Sequence, residues 1–488
     1  MKAARPLIWA AGAAAAAIIH GALTPMAWAD SAFVPLRYAR RLSEHGSVLL
    51  LGQEQPVEAL LNPLWTCFLA TLGTLGVHEA KAQPVLGLAL YGLVVGAAVL
   101  WASSSRRAVG AALLTAMLAA SPVLAIAARS GTDELFVAAW VLGAVWATST
   151  ASPWATVLVG GLSLCGVFPA LLAAGLAAGL AAGGRSGPLK GVAVCIGLLT
   201  LMRWAVFGTL FPHAPFRVLE MVDLGQGVAS LQMVGGAIGL GLAGLVLQRD
   251  GDERRWPEGL ALAMTAASVL ATAPDPHGLG FGAAPLAVIA LVTGARGLAR
   301  TAQAGKLWVA VLAVLVLDIR WGVAERGDVI EARKASVRQA RVMAKFLRWR
   351  FAEGATVVVQ TPGALAYHLR MPSVDLQGLT HRGPTSQAAM QALNPEVMIP
   401  EGDIVAPAAT RLSMGDQWDW RTLAETHFQH AILHSEDWNL VTKSPVWFNL
   451  YMRKDLPKYP PKWVEIYARE AAEREEKKKR EEDVGQAR

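Results

Sequence analysis

From Pro84 to Val323, apolar blocks follow one another along the chain, broken by short turns of Gly, Pro and charged residues. Each is about the length needed to cross ~30 Å of hydrocarbon, so the pattern predicts a bundle of membrane-spanning helices. The clearest blocks are Leu189–Ala205, Val228–Leu247, Gly259–Ala273, Ala283–Ala299 and Lys306–Val323. The first half is less regular, with blocks at Pro63–Val77, Pro84–Trp101, Val109–Ala127 and Leu135–Ala147, then a longer one at Trp154–Ala182. Gly166 to Pro169 breaks the longer block and predicts two short helices there. A further apolar run, Pro6 to Trp28, opens the chain behind Lys2 and Arg5. From Ala324 onward the pattern is that of soluble protein. A charged helix is expected over Asp328 to Phe351, then strands at Thr356–Gln360, Val397–Ile399, Ala431–Leu433 and Trp447–Met452. Pro, Gly and Asp punctuate these runs, which suggests a small α/β module. Glu465 to Glu482 mixes opposite charges at helical spacing and reads as a solvated helix.

Charge placement orients the bundle. Arg185 to Lys190, Arg249 to Arg255 and Arg296 to Lys306 are basic loops and read as cytoplasmic, as do Arg106 and Arg107. Phe207 to Gln226 and Pro274 to Phe281 carry little cation and read as external, which puts everything after Val323 outside. These constraints are met by about eleven crossings if Pro63–Val77 stays in the outer leaflet and Trp154–Ala182 crosses twice. Ser130 to Glu134 then lies outside, facing Asp30. Ala27-Trp28-Ala29 before Asp30 resembles a signal-peptidase site, although the preceding run is long enough to remain as an anchor. The expected organisation is a first span over 1–29, an external loop with an outer-leaflet helix over 30–83, a bundle over 84–323, an external α/β domain over 324–462 and a charged tail over 463–488. The N-terminus is expected in the cytoplasm.

Composition agrees with membrane residence: 54% of residues are hydrophobic and only 17% charged, with a mean hydropathy of +0.38. The net charge of +7 is explained by inter-span loops and the tail, and implies no nucleic-acid partner. Cys67, Cys165 and Cys195 all lie in apolar stretches without metal-ligand spacing and read as small core residues. His427, His430 and His434 have a spacing that would suit a metal on a helix, but the strand expected at Ala431–Leu433 would scatter them. Asp318 and Arg320, near the end of the last span, read as structural, and Trp28, Trp101 and Trp321 read as interfacial anchors.

The stretch between the first two apolar runs is the informative one: Asp30-Ser31-Ala32-Phe33-Val34, then Arg37-Tyr38-Ala39, then Asn62-Pro63-Leu64-Trp65. A carboxylate at the mouth of a span is well placed to meet a lipid-borne substrate as a general base, and Arg37 would pair with it or with a phosphate. The alternative from the residues alone is that Asp30 caps the following helix and Arg37 anchors it at the interface.

These residues resemble the first external loop of the GT-C family of polyprenyl-phosphosugar-dependent glycosyltransferases, which includes terminal arabinofuranosyltransferases. That family shows an Asp-Asp-Ala-Phe-Ile opening, Arg-Tyr-Ala, and a Thr-Asn-Pro-Leu-Trp close. Further along, Ser130-Gly131 with Asp133 and Glu134 resembles its Ser-Gly-x-Glu element, and Phe207-Gly208 through Leu210, Phe211 and Pro212 resembles an aromatic-Gly loop. Val374-Asp375 with Gly378-Leu379-Thr380 resembles an Asp-x-x-Gly-Leu-Thr signature. The resemblance implies a GT-C-like α-helical polytopic fold with an external module, in a bacterial inner membrane. It also implies transfer of a sugar, with inversion, from a polyprenyl phosphate to an envelope glycan or glycolipid. Asp30 would be the general base, Asp133 or Glu134 a second acid for acceptor or divalent-metal contact, and Asn62 and Trp65 supports of the motif. Arg37, Tyr38, Arg203, His213 and Arg217 would attend the donor.

Departures from the family pattern keep two other functions open. Ser31 replaces the second Asp, Gly166-Val167-Phe168-Pro169 stands where an Arg-Pro-acid element is expected, and Gly282 and Ala283 stand where an Arg is usual. His213-Ala214 follows Pro212 where the family has Asn-Thr. A scaffold derived from the same fold would explain the missing cations. A transporter or flippase would call for charges along a path, and the spans from Leu189 to Ala299 are nearly charge-free.

Overall fold

The computed structural model describes residues 4–50, 57, 62–103, 117–211, 228, 231, 234–247, 256–270, 283–300, 327, 329–345, 347–348, 351, 354–359, 363–375, 397–399, 428–434 and 447–453. In chain order the helices are α1 (Ala4–Leu23), α2 (Phe33–His45), α3 (Pro63–Thr74), α4 (Glu79–Ser103), α5 (Pro122–Ser130) and α6 (Glu134–Ser149). They continue with α7 (Ala155–Leu162), α8 (Val167–Ala182), α9 (Gly187–Phe207), α10 (Gly235–Leu247), α11 (Trp256–Leu270) and α12 (Ala283–Arg300). Among the described residues three helices are long and apolar enough to span a membrane: Pro6–Leu23 within α1, Glu79–Ala102 within α4, and α9. The 18 residues of the first reach about 27 Å at helical rise. Shorter apolar helices occupy Glu134–Ser149, Val167–Ala182 and Ala283–Arg296. The long block breaks at Gly166 into α7 and α8, as its Gly–Pro punctuation predicts. Lys306–Val323, Asp318, Arg320, Glu465 to Glu482 and part of Val109–Ala127 lie outside the described residues, and the crossing count with them.

Helices in hydrocarbon gain little from burying apolar surface against each other, so close approach through small residues carries the packing. α1 turns Ala10, Ala13 and Ala17, all buried, toward α4. There a methyl at Gly96 would lie 3.5 Å from the Ala10 carbonyl oxygen and from the Ala14 Cβ. α4 meets α5 more tightly: a Cβ at Gly87 would overlap the Ala128 carbonyl. Buried polar ties hold this corner. Tyr91 donates its hydroxyl to the Leu118 carbonyl at 2.8 Å, and His20 Nδ1 lies 2.9 Å from that of Ala119. Of the cysteines, only Cys165 is buried; Cys67 is exposed on α3, so the reading of all three as core residues fails for it.

α2 and α3 do not continue the bundle; they pack on each other through Leu36, Ala39, Trp65, Leu69 and Ala70. Asn62 caps α3 by accepting the Trp65 amide at 3.0 Å, and Pro63 takes the first helical position.

The C-terminal third holds α13 (residues 329–345) and α14 (Ala364–Leu369) with a mixed sheet. Its strands are β1 (Val357–Val359), β2 (Ser373–Asp375), β3 (Val397–Ile399), β4 (Phe428–His434) and β5 (Trp447–Arg453), in the order β2-β1-β3-β5-β4. β1 pairs in parallel with β2 and β3, setting Val358 opposite Val374 and Met398. β5 pairs antiparallel with β3 and β4. Four strands fall on runs expected from the sequence. β2 was not expected, because its three residues carry no strand pattern of their own. One end of α13 contributes Met343 and Ala344, joined by Leu347 just beyond it, to a core with Val357, Val359 and Leu369. Earlier, its Val337 joins Phe33, Trp65, Ala364 and Tyr367 in a second core, which seats the sheet region on α2 and α3.

Gly87→Ala is expected to destabilise the detergent-purified protein by about 1–3 kcal/mol, because the obstructing atoms are backbone. Gly12→Ala, with nothing within 4 Å of the added methyl, serves as the neutral control. Equal melting temperatures for the two variants would show that the α4–α5 approach is looser than described.

Candidate active site

The site is built where the chain leaves α1. Residues 27 to 29 run beside the end of α5, with Ala27 N donating to Arg129 O at 3.1 Å and Ala29 N to Ser130 O at 2.9 Å. This pairing sets Asp30 next to the Ser130–Glu134 turn, the juxtaposition expected from topology. Trp28 is more than an interfacial anchor. Its ring stacks on Phe33 at 5.2 Å and covers Gly131, where an added Cβ would lie 2.5 Å away. Gly131 has φ +74°, so both backbone and space require glycine there.

Asp30 opens a 3-10 turn, Asp30–Ala32, that runs into α2. Its Oδ1 accepts from the Ala364 backbone amide at 2.7 Å, a hydrogen bond spanning 334 residues of sequence. Gly363 makes this approach possible, since any side-chain carbon there would overlap the Asp30 carboxylate. Asp30 thus acts on the N-terminus of a helix, as the capping alternative proposed, but α14 is the helix concerned rather than α2.

Seven residues on, within α2, Arg37 is buried at 8% exposure. Its Nη2 donates to Ser373 Oγ at 2.9 Å. Burial pushes the Arg37 guanidinium below its ordinary value, and Tyr38, Asp375 and Asp30 oppose that shift. Ser373 and Asp375, both buried, stand on β2. Aromatic contacts reinforce the same interface: Phe33 lies 5.2 Å from Tyr367 and 5.4 Å from His368, and Arg40 sits 3.9 Å over the Tyr367 ring while bonding Glu79 at 3.3 Å. His368 accepts from Arg341 Nε at 3.3 Å. Burial, followed by the nearby Arg341, Arg40, Arg348 and Arg370, pushes its imidazole down to about 4.

The second acid has its own support. Asn62, while capping α3, donates Nδ2 to Asp133 Oδ2 at 2.6 Å. Burial raises the Asp133 carboxyl, and this hydrogen bond works against the rise. Glu134 is buried beside it and accepts from Thr132 Oγ1 at 3.4 Å. Trp65 packs on Phe136 at 5.2 Å, fixing α3 against the start of α6. Asp30, Arg37, Asn62, Trp65, Asp133 and Glu134 are therefore gathered around one region.

Other residues fall differently. Tyr38 is fully buried and donates its hydroxyl to the Val57 carbonyl. Arg203 is buried on the face of α9 that also carries Phe207, and Phe207 packs on Tyr38. His213, Arg217 and His427 lie outside the described residues, as do the side chains of His430 and His434. Among the described residues no group of three or more His, Cys, Asp or Glu side chains stands together as a metal site. Ser373 and Ala364 could not be singled out from sequence, because a hydroxyl and a backbone amide leave no motif.

No protein-family model and no curated protein matches the chain. Among solved structures it is similar to ArnT from Cupriavidus metallidurans, determined bound to undecaprenyl phosphate, with a TM-score of 0.58 and 14% identity. The superposition covers 93% of this chain and 98% of that one. The chain therefore shares that polytopic helical fold over 93% of its length.

Two outcomes follow from the buried charges. Arg37→Met removes the cation that Asp30 and Asp375 share, and is expected to destabilise the solubilised protein by about 3–5 kcal/mol; Arg37→Lys should recover part of that loss. For His368, the unfolded chain takes up its proton near pH 6.5 and the folded chain only near 4. Stability is then full above about pH 6.5 and falls as pH drops toward 4. His368→Gln should show a shallower fall in melting temperature across that window than the parent.

Proposed function

We propose that the chain is a membrane glycosyltransferase that moves a sugar from a polyprenyl-phosphate donor to an envelope glycan or glycolipid. The observation that carries this reading is the Asp30 carboxylate, held at the end of α1 by the Ala364 amide with the Arg37 charge close by. The fold shared with a protein solved with undecaprenyl phosphate supports it. In the reaction, an acceptor hydroxyl oxygen attacks the anomeric carbon while Asp30 takes its proton. The bond from that carbon to the phosphate oxygen breaks, and the polyprenyl phosphate leaves with the electron pair, inverting the anomeric centre. The Ala364 hydrogen bond fixes the plane of the carboxylate, a contribution of orientation rather than of charge. Arg203, His213 and Arg217 are assigned the departing phosphate, whose developing charge is the largest electrostatic demand of the step. Asp133, positioned by Asn62, orients the acceptor. The chain would sit in a bacterial inner membrane with its N-terminus in the cytoplasm and its sheet region outside.

A second reading, a scaffold that has lost the chemistry, draws on the engagement of Arg37 by Ser373 and Asp375, which leaves that cation less available to a donor phosphate.

The test is envelope-glycan composition in a deletion strain complemented with the parent, Asp30→Asn or Ala364→Pro. Proline fits the first position of a helix, but its ring carbon takes the place of the N–H given to Asp30 and so displaces the carboxylate as well as releasing it. A linkage restored by the parent, absent with Asp30→Asn and reduced at least tenfold with Ala364→Pro, is the expected result at equal membrane levels. Full restoration by Asp30→Asn would remove the base and leave the scaffold reading.

A further inference from the structure

Gln83 is a buried polar residue that the reaction above does not use. It lies in the first turns of α4 at 2% exposure, and neither its Oε1 nor its Nε2 has a hydrogen-bond partner among the described residues. The side chain reaches the turn that carries the second acid: its Oε1 would lie 3.0 Å from a Cβ on Gly131. Gly131 is two residues from Asp133, and Ser130, before it, is bonded to Ala29 beside Asp30. The Trp65 indole Nε1 is also buried without a partner among the described residues, one helical turn from the Asn62 cap that holds Asp133. Buried amides and indoles in folded proteins are satisfied as a rule, so two such groups flanking one candidate site call for a ligand.

Their chemistry selects that ligand. A phosphate oxygen only accepts, and the Gln83 carbonyl would repel it. A hydroxyl both donates and accepts, so a primary amide and an indole N–H match the hydroxyls of an uncharged sugar ring. The donor is the partner that is always lipid-borne in the proposed reaction, so its sugar must be met at the mouth of a span, and Gln83 stands in the first turns of a helix long enough to cross a membrane. We infer that Gln83, with the Trp65 indole, binds hydroxyls of the neutral sugar carried by the polyprenyl-phosphate donor and so selects which donor is used. The inference rests on the donor reading above.

The experiment measures binding of undecaprenyl phosphate alone, and of undecaprenyl phosphate carrying glucose, mannose or arabinofuranose, by thermal shift of the full-length protein in detergent. The parent should bind at least one glycosylated lipid tenfold or more tighter than the bare lipid. Gln83→Leu should erase that preference and leave bare-lipid affinity within twofold. Without ligand it should melt no lower than the parent, since it removes a buried polar group that has no partner. Gln83→Glu, which keeps an acceptor and loses the donor, should bind glycosylated lipid less tightly than the parent. A Gln83→Leu protein that keeps the sugar preference, or melts lower while binding every lipid as the parent does, would make Gln83 structural and overturn the inference. A parent that binds bare and glycosylated lipids alike also overturns it while sparing the donor reading. Failure of the bare lipid to bind the parent would bring down both.

Discussion

Arg37 is a guanidinium with little access to water, and that condition constrains the rest of the site. A charge so placed is tolerated only if oppositely charged and hydrogen-bonding groups are brought to it. Ser373, Asp375 and Asp30 supply them, two from a strand near the end of the chain and one from the mouth of the first span. β2 therefore has to dock on α2, and once it does, Gly363 and Ala364 arrive at the Asp30 carboxylate. The aromatic contacts of Phe33 with Tyr367 and His368 lie along the same seam and exclude water from it. Charge satisfaction sets the position of the two pieces, while apolar contact supplies the area.

The division of labour differs between the two halves of the molecule. In the bundle, helices approach through alanine and glycine faces, because surrounding lipid offers side chains as good an apolar environment as a neighbouring helix does. At the seam, large aromatic and charged residues carry the contact, as in a water-soluble interface. Asn62 joins the regimes. One oxygen caps α3, and its amide nitrogen reaches Asp133 at the start of α6, so a helix-end requirement and a polar-site requirement are met by the same side chain.

Much of this was legible in the sequence, and what escaped did so for identifiable reasons. Apolar block lengths gave the helical bundle, and the Gly–Pro break gave α7 and α8. Order along the chain placed Asp30 opposite Ser130 to Glu134. Arg37 could be recognised as important but not as a partner of β2, because Asp375 is 338 positions away and nothing local links them. Tyr38 was assigned to the donor only through the Arg-Tyr-Ala resemblance, and its hydroxyl is given to the Val57 carbonyl. β2 and Gln83 were missed on other grounds. Three residues are too few for a periodicity, and an amide at the start of an apolar helix is unremarkable until its surroundings are seen to lack partners.

The hydrogen bond between residues 30 and 364 also has a temporal side. A ribosome delivers Asp30 and Arg37 early and Ser373 and Asp375 only after about three-quarters of the chain has been made. Until then the guanidinium has to stay hydrated at the membrane surface, and α2 has no reason to assume its final pose. Seating of the sheet region can therefore follow only after the helices that precede it in the chain have been made. A polypeptide cut short before residue 363 would keep every helix up to α13, yet its carboxylate at residue 30 would lack the amide that orders it.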